Sequence, residues 1–298
     1  MKKEKGLLLQ VGVGIVLIII VAILINNLSI NLLRAGLGFD FSWLFRSAGF
    51  ALAEHPLSYS PSDSYAWALF MGWLNSLKVI CLSLFIATFI GFFVGFASTG
   101  ENSLLRILSV GYVTLVRQTP LLLQLMLWYF VGFLSIKDNL FTPLKGIINF
   151  SNQGITFLGI NLSPEFSALL VGLSVFTGAY ISEVVRGGIN SVPIGQWEAF
   201  RSLGLSENSG LYKVIMPQAL PAILPGLTSQ YLNLAKNSTL AIAVGYADIY
   251  AIGDTVITQT GRAIEGFLLL LVSFLVLNLI ISNFMEFINH YILTYQKR

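Results

Sequence analysis

Six separate apolar runs, each long enough to cross a bilayer as a helix, constrain this chain more than any other feature. They fall near residues 7 to 27, 70 to 98, 104 to 133, 166 to 190, 217 to 246 and 264 to 292. A bilayer core takes roughly 20 helical residues to cross. Lipid offers no hydrogen bonds, so the backbone must be satisfied inside each run and helices are expected there, not strands. The composition agrees: of 298 residues 55% are hydrophobic and 10% charged, where soluble domains carry roughly a quarter charged residues. The fold class expected is an all-α polytopic membrane protein of about six transmembrane helices.

The first run follows Lys2, Lys3 and Lys5, as a signal peptide does, but no small-residue cleavage pattern follows its apolar part. It reads as a retained anchor. A long segment separates it from the other five runs, which divides the chain into 1–69, anchor plus external segment, and 70–298, a five-helix core. Six spans place both termini on one side. With the amino terminus inside, Lys2, Lys3, Lys5, Arg106, Arg186, Arg201, Lys213, Lys297 and Arg298 collect in the cytoplasm, against Arg34, Arg46, Lys137, Lys145 and Arg262 outside. Nine cations against five favour that orientation under the positive-inside rule. The external segments 28–69 and 134–165 contain turn-prone pieces such as HPLSYSPSDS and FSNQGITFLGINLSPE, which predict ordered loops, not domains.

Several chemistries are unsupported. Cys81 is the single cysteine, within an apolar run, and reads as packing, with no disulfide framework available. His55 and His290 stand far apart, which speaks against a metal cluster. A net charge of +3, scattered along the chain, does not point to nucleic acid. No glycine-rich phosphate loop ending in Gly-Lys-Ser/Thr is present, nor His-Glu-x-x-His or a paired-Asp motif, so neither ATP hydrolysis by that machinery nor an intramembrane enzyme is expected, and no cofactor.

Between the fourth and fifth runs lies a polar island, RGGINSVPIGQWEAFRSLGLSENSGLYKVIMP, Arg186 to Pro217. Pro193 to Leu203 predicts a short amphipathic helix, with proline in its first turn and Trp197, Phe200 and Leu203 on one face, away from Glu198, Arg201 and Ser202. Gly204 suits a left-handed C-cap. Ser206 and Glu207 can open a second helix running through Val214 toward Pro217 and the membrane. An island ordered in this way suggests a surface gripped by another protein.

The island resembles the EAA loop of the membrane subunits of ATP-binding cassette importers. Glu198, Ala199, Gly204 and Pro217 match its pattern at the proper spacing, while Phe200, Val214 and Met216 replace its second Ala, its Ile and its Leu. The likeness extends over residues 70 to 298, to the polar amino acid permease branch of those importers. VRQTPLLLQLMLWYF (116–130), GAYISEVVRGGINSVPIGQWEAF (178–200) and LNLAKNSTLAIAVGYADI (232–249) are similar to its segments in the correct order. AGLGFDFSW and YSPSDSYAWA, near the first run, resemble extended members that handle a broad range of amino acids.

The resemblance implies a permease core of five helices plus an N-terminal anchor, in a bacterial inner membrane. It implies an amino acid importer whose coupling loop, through Trp197, Glu198, Ala199, Phe200, Gly204 and Pro217, docks into a separate ATPase chain. It also implies a second permease, the same or homologous, and an external solute-binding protein.

Candidate pathway residues are Gln124, Tyr180, Glu183, Lys236, Asn237, Ser238 and Thr239, which carry the donors and acceptors that amino and carboxylate groups need. Each can instead bond between helices. Ser174, Thr177, Tyr180 and Glu183 repeat every three residues, a polar stripe on which Glu183 should face a cavity, a partner helix or Arg186. Arg117 beside Pro120 reads as a snorkelling span-end arginine or as a gating charge, and Pro120 as a kink. The competing function is an ion-coupled secondary amino acid transporter, which would need inverted repeats and broken helices; no internal symmetry is visible.

Overall fold

Pro164 and Ser163 open the helix around which the core is organised. In the computed structural model, which describes residues 2–34, 39–135, 141–144 and 147–296, Ser163 is the N-cap of α5 (Pro164–Asn190), accepting from the Phe166 amide. Two-thirds of its most apolar stretch, 67%, is buried, against 33% for α2 (Tyr65–Thr99) and 22% for α10 (Ala263–Gln296). Small residues explain the close packing. A Cβ added at Gly91 or Gly95 of α2 would come within 2.3 Å of Ile181 or 2.7 Å of Val185 on α5. Gly188 on α5 and Gly226 on α8 (Met216–Asn237) likewise face Ile223 and Val184. In a bilayer, where apolar burial drives helix association little, such close approach supplies the packing energy.

The chain divides into two compact units, Met1–Leu44 and Phe45–Arg298. The first contains α1 (Lys2–Arg34). The boundary expected at 69/70 falls inside α2, whose helix begins at Tyr65 behind the Ser64 N-cap. Residues 45–64 belong with the core because their backbone bonds hold them there. Tyr65 N donates to Arg46 O at 3.0 Å, Asn75 Nδ2 donates to Glu54 O at 3.0 Å, and the Glu54 carboxylate meets Lys78 at 3.6 Å and accepts from Ser163.

Two of the six expected spans are broken. The third is α3 (Ser103–Gln118), then Thr119 and Pro120, then α4 (Leu121–Met126) and a wide π turn, Leu127–Leu134. Pro120 lacks the amide a continuous helix needs, and Gln124 Nε2 repairs the break by donating to Val116 O (2.8 Å), Thr119 O (3.1 Å) and Thr119 Oγ1 (2.6 Å). The fifth lies within a helical stretch, Glu207–Val244, whose end turns by 57° into α9 (Ile249–Thr260), a helix not expected from the sequence.

Gly245, at φ +78°, makes this elbow, and Asp248 caps α9 by accepting from Ala251 N at 2.8 Å. The elbow is bound to α2. Asn75 Nδ2 donates to Ala247 O (2.8 Å) and to Glu54 O (3.0 Å), Tyr246 Oη donates to Asn75 O (3.3 Å), and Ile249 N donates to Ser76 Oγ (3.0 Å).

The segment 134–165 is more regular than expected. It contains an antiparallel meander, β1 (Phe141–Leu144), β2 (Ile148–Ser151), β3 (Gly154–Phe157) and β4 (Ile160–Leu162), paired in that order. Two short connections, Asn152–Gln153 and Leu158–Gly159, turn β2 into β3 and β3 into β4. The turn signals were legible, and the strands between them are too short to carry a clear alternation.

Cys81 corrects another expectation. It is exposed and belongs to the outer stripe of α2 with Phe85, Phe89 and Phe93, which are also exposed. Bare phenylalanines at this spacing make a lipid-facing surface. Lys137, Lys145, Lys297 and Arg298, used above in the charge count, lie outside the described residues.

Candidate functional site: a polar face and the island below it

The island folds as helix, bend and helix. α5 ends at Ser191, whose amide donates to Gly187 O (3.1 Å) and Gly188 O (3.2 Å). Pro193 then caps α6 (Ile194–Ser202). At the far end of α6, Leu205 N donates to Phe200 O (3.2 Å) and Gly204 N to Arg201 O (2.9 Å). With Gly204 at φ +72° this is a Schellman cap, the termination expected from the glycine. Ser206 caps α7 (Glu207–Gly210). A π turn, Leu211–Ile215, leads into α8, and this widening falls where Pro217 removes a backbone donor.

The face of α6 differs from the expectation in one respect. Phe200 is 1% exposed, and its ring lies 5.9 Å from that of the half-buried Trp197, but Leu203 is 78% exposed. Leu203 keeps the helical path, its amide donating to Ala199 O at 3.1 Å, but it stands at the very end of α6, where Gly204 turns the chain. Glu198 and Ala199 are exposed too, as is Ile194. Phe200, the large replacement for a small residue, is accommodated by Gly210, where a Cβ would stand 2.3 Å from its ring.

Arg201 fastens the bend. Its Nε and Nη2 donate to the Glu207 carboxylate at 2.7 and 3.2 Å, and its guanidinium covers the rings of Trp197 and Phe200 at 5.7 and 5.6 Å. The hydrogen bonds from Arg201 hold the Glu207 carboxyl below its ordinary range.

Above the island, α3, α5 and α8 present polar side chains at membrane depth. A cavity of about 650 Å³ is lined by Arg106, Arg117, Tyr180, Glu183 and Arg186, among others. A second, of about 340 Å³, is lined by Phe176, Thr177, Tyr180, Gln230, Asn233, Lys236 and Asn237. Tyr180 belongs to both. Glu183 is clasped by two arginines: Arg186 donates through Nε and Nη2, each at 2.9 Å, and Arg117 Nη1 at 3.1 Å. Arg117 also lies over Tyr180, 5.0 Å from the ring centre. Arg117 is therefore an interhelical charge joining α3 to α5, and Glu183 faces both a cavity and Arg186.

Of the seven pathway residues expected, Tyr180, Glu183, Lys236 and Asn237 line these cavities. Gln124, Ser238 and Thr239 are not in either lining. Gln124 serves the Pro120 break. Ser238 is fully buried and donates to Ala235 O at 2.9 Å, and Thr239 donates to Lys236 O at 2.9 Å; both close the 3-10 turn Ser238–Val244. On the stripe, Ser174 and Thr177 are buried between helices at its upper end. Arg106, Gln230 and Asn233 are lining residues that the sequence reading passed over. Gln230, Asn233 and Asn237 follow the three- and four-residue helical spacing from one another, the signal that could have found them.

Comparison with known proteins decides what this arrangement belongs to. The family described as "Binding-protein-dependent transport system inner membrane component" matches residues 87–293. The chain belongs to that family. As a permease subunit of this kind, it works in a multi-pass inner-membrane assembly with a separate ATPase and a substrate-binding protein, which leaves the ion-coupled alternative without support.

The permease is 33% identical to the "Putative amino-acid ABC transporter permease protein YhdX" of Escherichia coli (strain K12), over 96% of this chain and 93% of that protein. It is 31% identical to the "General L-amino acid transport system permease protein AapQ" of Rhizobium johnstonii, over 96% and 92%. Among solved structures, one titled "Crystal structure of an amino acid ABC transporter with histidines" superposes with a TM-score of 0.60 at 26% identity, over 76% of this chain and 95% of that one. An inward-facing methionine ABC transporter shares the fold, at a TM-score of 0.57 and 21% identity, over 76% and 97%.

Proposed function

We propose that the permease is the membrane subunit of an ATP-driven amino acid importer, and that its pathway runs along the polar face of α5 and α8. The observation that carries this reading is the placement of Tyr180, Glu183, Arg186 and Lys236 along two cavities that share Tyr180. Such side chains are costly against lipid, and face protein or water instead. A second permease, identical or homologous, covers this face and completes the pathway. Amino acids as the cargo are supported by the names of the relatives.

The ATPase docks on the island. Ile194, Glu198, Ala199 and Leu203 supply the exposed surface, Trp197 and Phe200 the packed base, and Gly204 and Pro217 the two backbone devices that set its shape. Exposed apolar residues on a helix whose opposite face is already packed fit a docking surface. The island and both termini lie in the cytoplasm, and residues 45–64 and the β meander lie outside, where the solute-binding protein delivers substrate.

Reconstitution of the permease with its ATPase and binding protein in liposomes tests the reading. Amino acid uptake that requires ATP and persists when ion gradients are collapsed supports it. Uptake driven by an ion gradient without ATP overturns it.

A further inference from the structure

The turns Asn152–Gln153 and Leu158–Gly159 of the β meander have the reverse of the usual polarity. The polar turn is at the end of the sheet that lies on α5: Ile155 N donates to Ser167 Oγ at 2.9 Å, and Asn152 is half-buried with its carboxamide oxygen shielded from solvent. The apolar turn, at the other end, is bare. Phe157, Leu158 and Ile160 are exposed there, as is Ile147, whose carbonyl accepts from Leu158 N at 2.9 Å. The backbone of this tip is also strained. Both central residues have positive φ, Leu158 at +49° and Gly159 at +82°, a turn that favours Asn-Gly. Leu158 is the one residue other than glycine in the left-handed region among the described residues, and its Cβ disfavours that conformation. Strain kept at an exposed apolar side chain points to a use for that side chain.

What the tip meets follows from its lack of charge and from its place. Phe157 and Ile160 are paired directly, so they share a face of the sheet. No charged residue occurs between Lys145 and Glu165, and the nearest polar side chains, Thr156 and Asn161, bond to each other at 2.8 Å. A docking patch for a soluble protein is rimmed by polar and charged groups that fix its register. This tip has no such rim, whereas a bilayer asks only for apolar side chains. The bilayer is also close. β4 (Ile160–Leu162) leads directly to Ser163, the N-cap of the membrane-spanning α5, so the tip stays within about 10 Å of the level at which α5 leaves the membrane. The interfacial zone is itself roughly 5 to 8 Å deep on each side of the hydrocarbon core.

We propose that the turn from Phe157 to Ile160 is a lipid-seated anchor. Its side chains rest among the headgroups and upper acyl chains of the leaflet around the N-terminal end of α5, the outer leaflet in the orientation proposed above, and they fix the meander against the bilayer surface. α5 runs from this anchor straight to the island, so in the importer reading, on which this consequence rests, the anchor holds one end of the helix whose other end the ATPase moves.

The test uses the full permease assembly with its ATPase in nanodiscs of phosphatidylethanolamine and phosphatidylglycerol. Cys81, the single cysteine, is replaced in Cys81→Ala, and one nitroxide label is attached through Ile160→Cys or, at the opposite turn, through Gln153→Cys. Collisions with oxygen, which concentrates in lipid, are compared with collisions with a water-soluble nickel chelate. The oxygen-to-nickel ratio should be several-fold higher at 160 than at 153. Leu158→Asn, which suits the turn but makes its tip polar, should lower the ratio at 160 several-fold while the label at 153 is unchanged. A label at 160 as open to nickel as that at 153 would overturn the anchor. So would a label at 160 shielded from both reagents, the mark of a second permease covering it, one shielded only when the binding protein is added, or one indifferent to Leu158→Asn. The comparison of 160 with 153 stands even if Leu158→Asn fails to assemble. ATP-driven uptake of the labelled assemblies is measured alongside: a water-exposed tip with uptake intact removes the anchor alone, whereas uptake indifferent to ATP removes the importer reading and leaves the position of the tip standing.

Discussion

Phe200 packs directly against Gly210, at a distance that leaves no room for a side chain: a Cβ at Gly210 would lie 2.3 Å from Cδ2 and Cε2 of the ring. One residue on each side of the bend thereby fixes the angle between α6 and α7. Gly210→Val should force the ring out, at a cost of about 1 to 3 kcal/mol from overpacking. Phe200→Ala should cost about 3 to 5 kcal/mol through the cavity it leaves. Thermal unfolding and ATPase co-purification should both report these losses, with Phe200→Leu milder than Phe200→Ala.

Gly204 is constrained by its backbone, since a side chain there would meet no atom within 4 Å. Its φ of +72° disfavours residues with a Cβ by about 1 to 2 kcal/mol. Gly204→Asp should insert into membranes normally yet lose coupling, seen as reduced ATPase co-purification and reduced ATP-driven uptake. Gly204→Asn, which tolerates the left-handed conformation better, should keep more of both.

Glu183 neutralises Arg117 and Arg186 together. Glu183→Gln leaves the two guanidinium groups facing each other beside Tyr180 and should destabilise the α3–α5 contact by about 1 to 3 kcal/mol. Arg117→Gln in the same chain should recover part of that loss, a coupling that a double-mutant cycle on thermal stability measures directly.

The Arg201–Glu207 pair gives the island a pH dependence of known sign. Because the folded-state pKa of Glu207 is lowered, the pair stabilises the bend above the ordinary carboxylate range, and the contribution disappears as pH falls through the folded value. Both side chains are nearly half exposed, so the effect is small. Acidification should change the Trp197 emission in wild type, because Arg201 covers that ring, and the change should be smaller in Glu207→Gln.

Asn75 holds the elbow with a single amide that donates to Ala247 and Glu54. Asn75→Asp keeps the shape but removes both donors, and should cost about 1 to 3 kcal/mol. Hydrogen exchange at 245–251 should accelerate more than exchange in α5.

Features governed by local chemistry were legible before the fold was. Apolar runs marked the spans, Gly204 and Ser206 marked the island's bend and second helix, and the spacing of Tyr180 and Glu183 marked a polar stripe. Features that depend on distant partners were not. Gln124 looked like a pathway residue because nothing local shows that its amide is spent on Val116 and Thr119. Leu203 looked packed because helical periodicity says nothing of where the surface beneath α6 ends. The elbow was concealed inside a continuous apolar run, although Gly245 followed by Asp248, a left-handed residue and then an N-cap, is a legible stop and start.

The most direct measurement for the central claim, that the island is where the ATPase docks, is photo-crosslinking from benzoylphenylalanine placed at Glu198, exposed on α6, with the same probe at Ser62, exposed in the 45–64 segment. The account predicts a crosslink to the ATPase chain from position 198 and none from position 62. Crosslinking from 62, or none from 198 in an assembly that still hydrolyses ATP and transports, would contradict it.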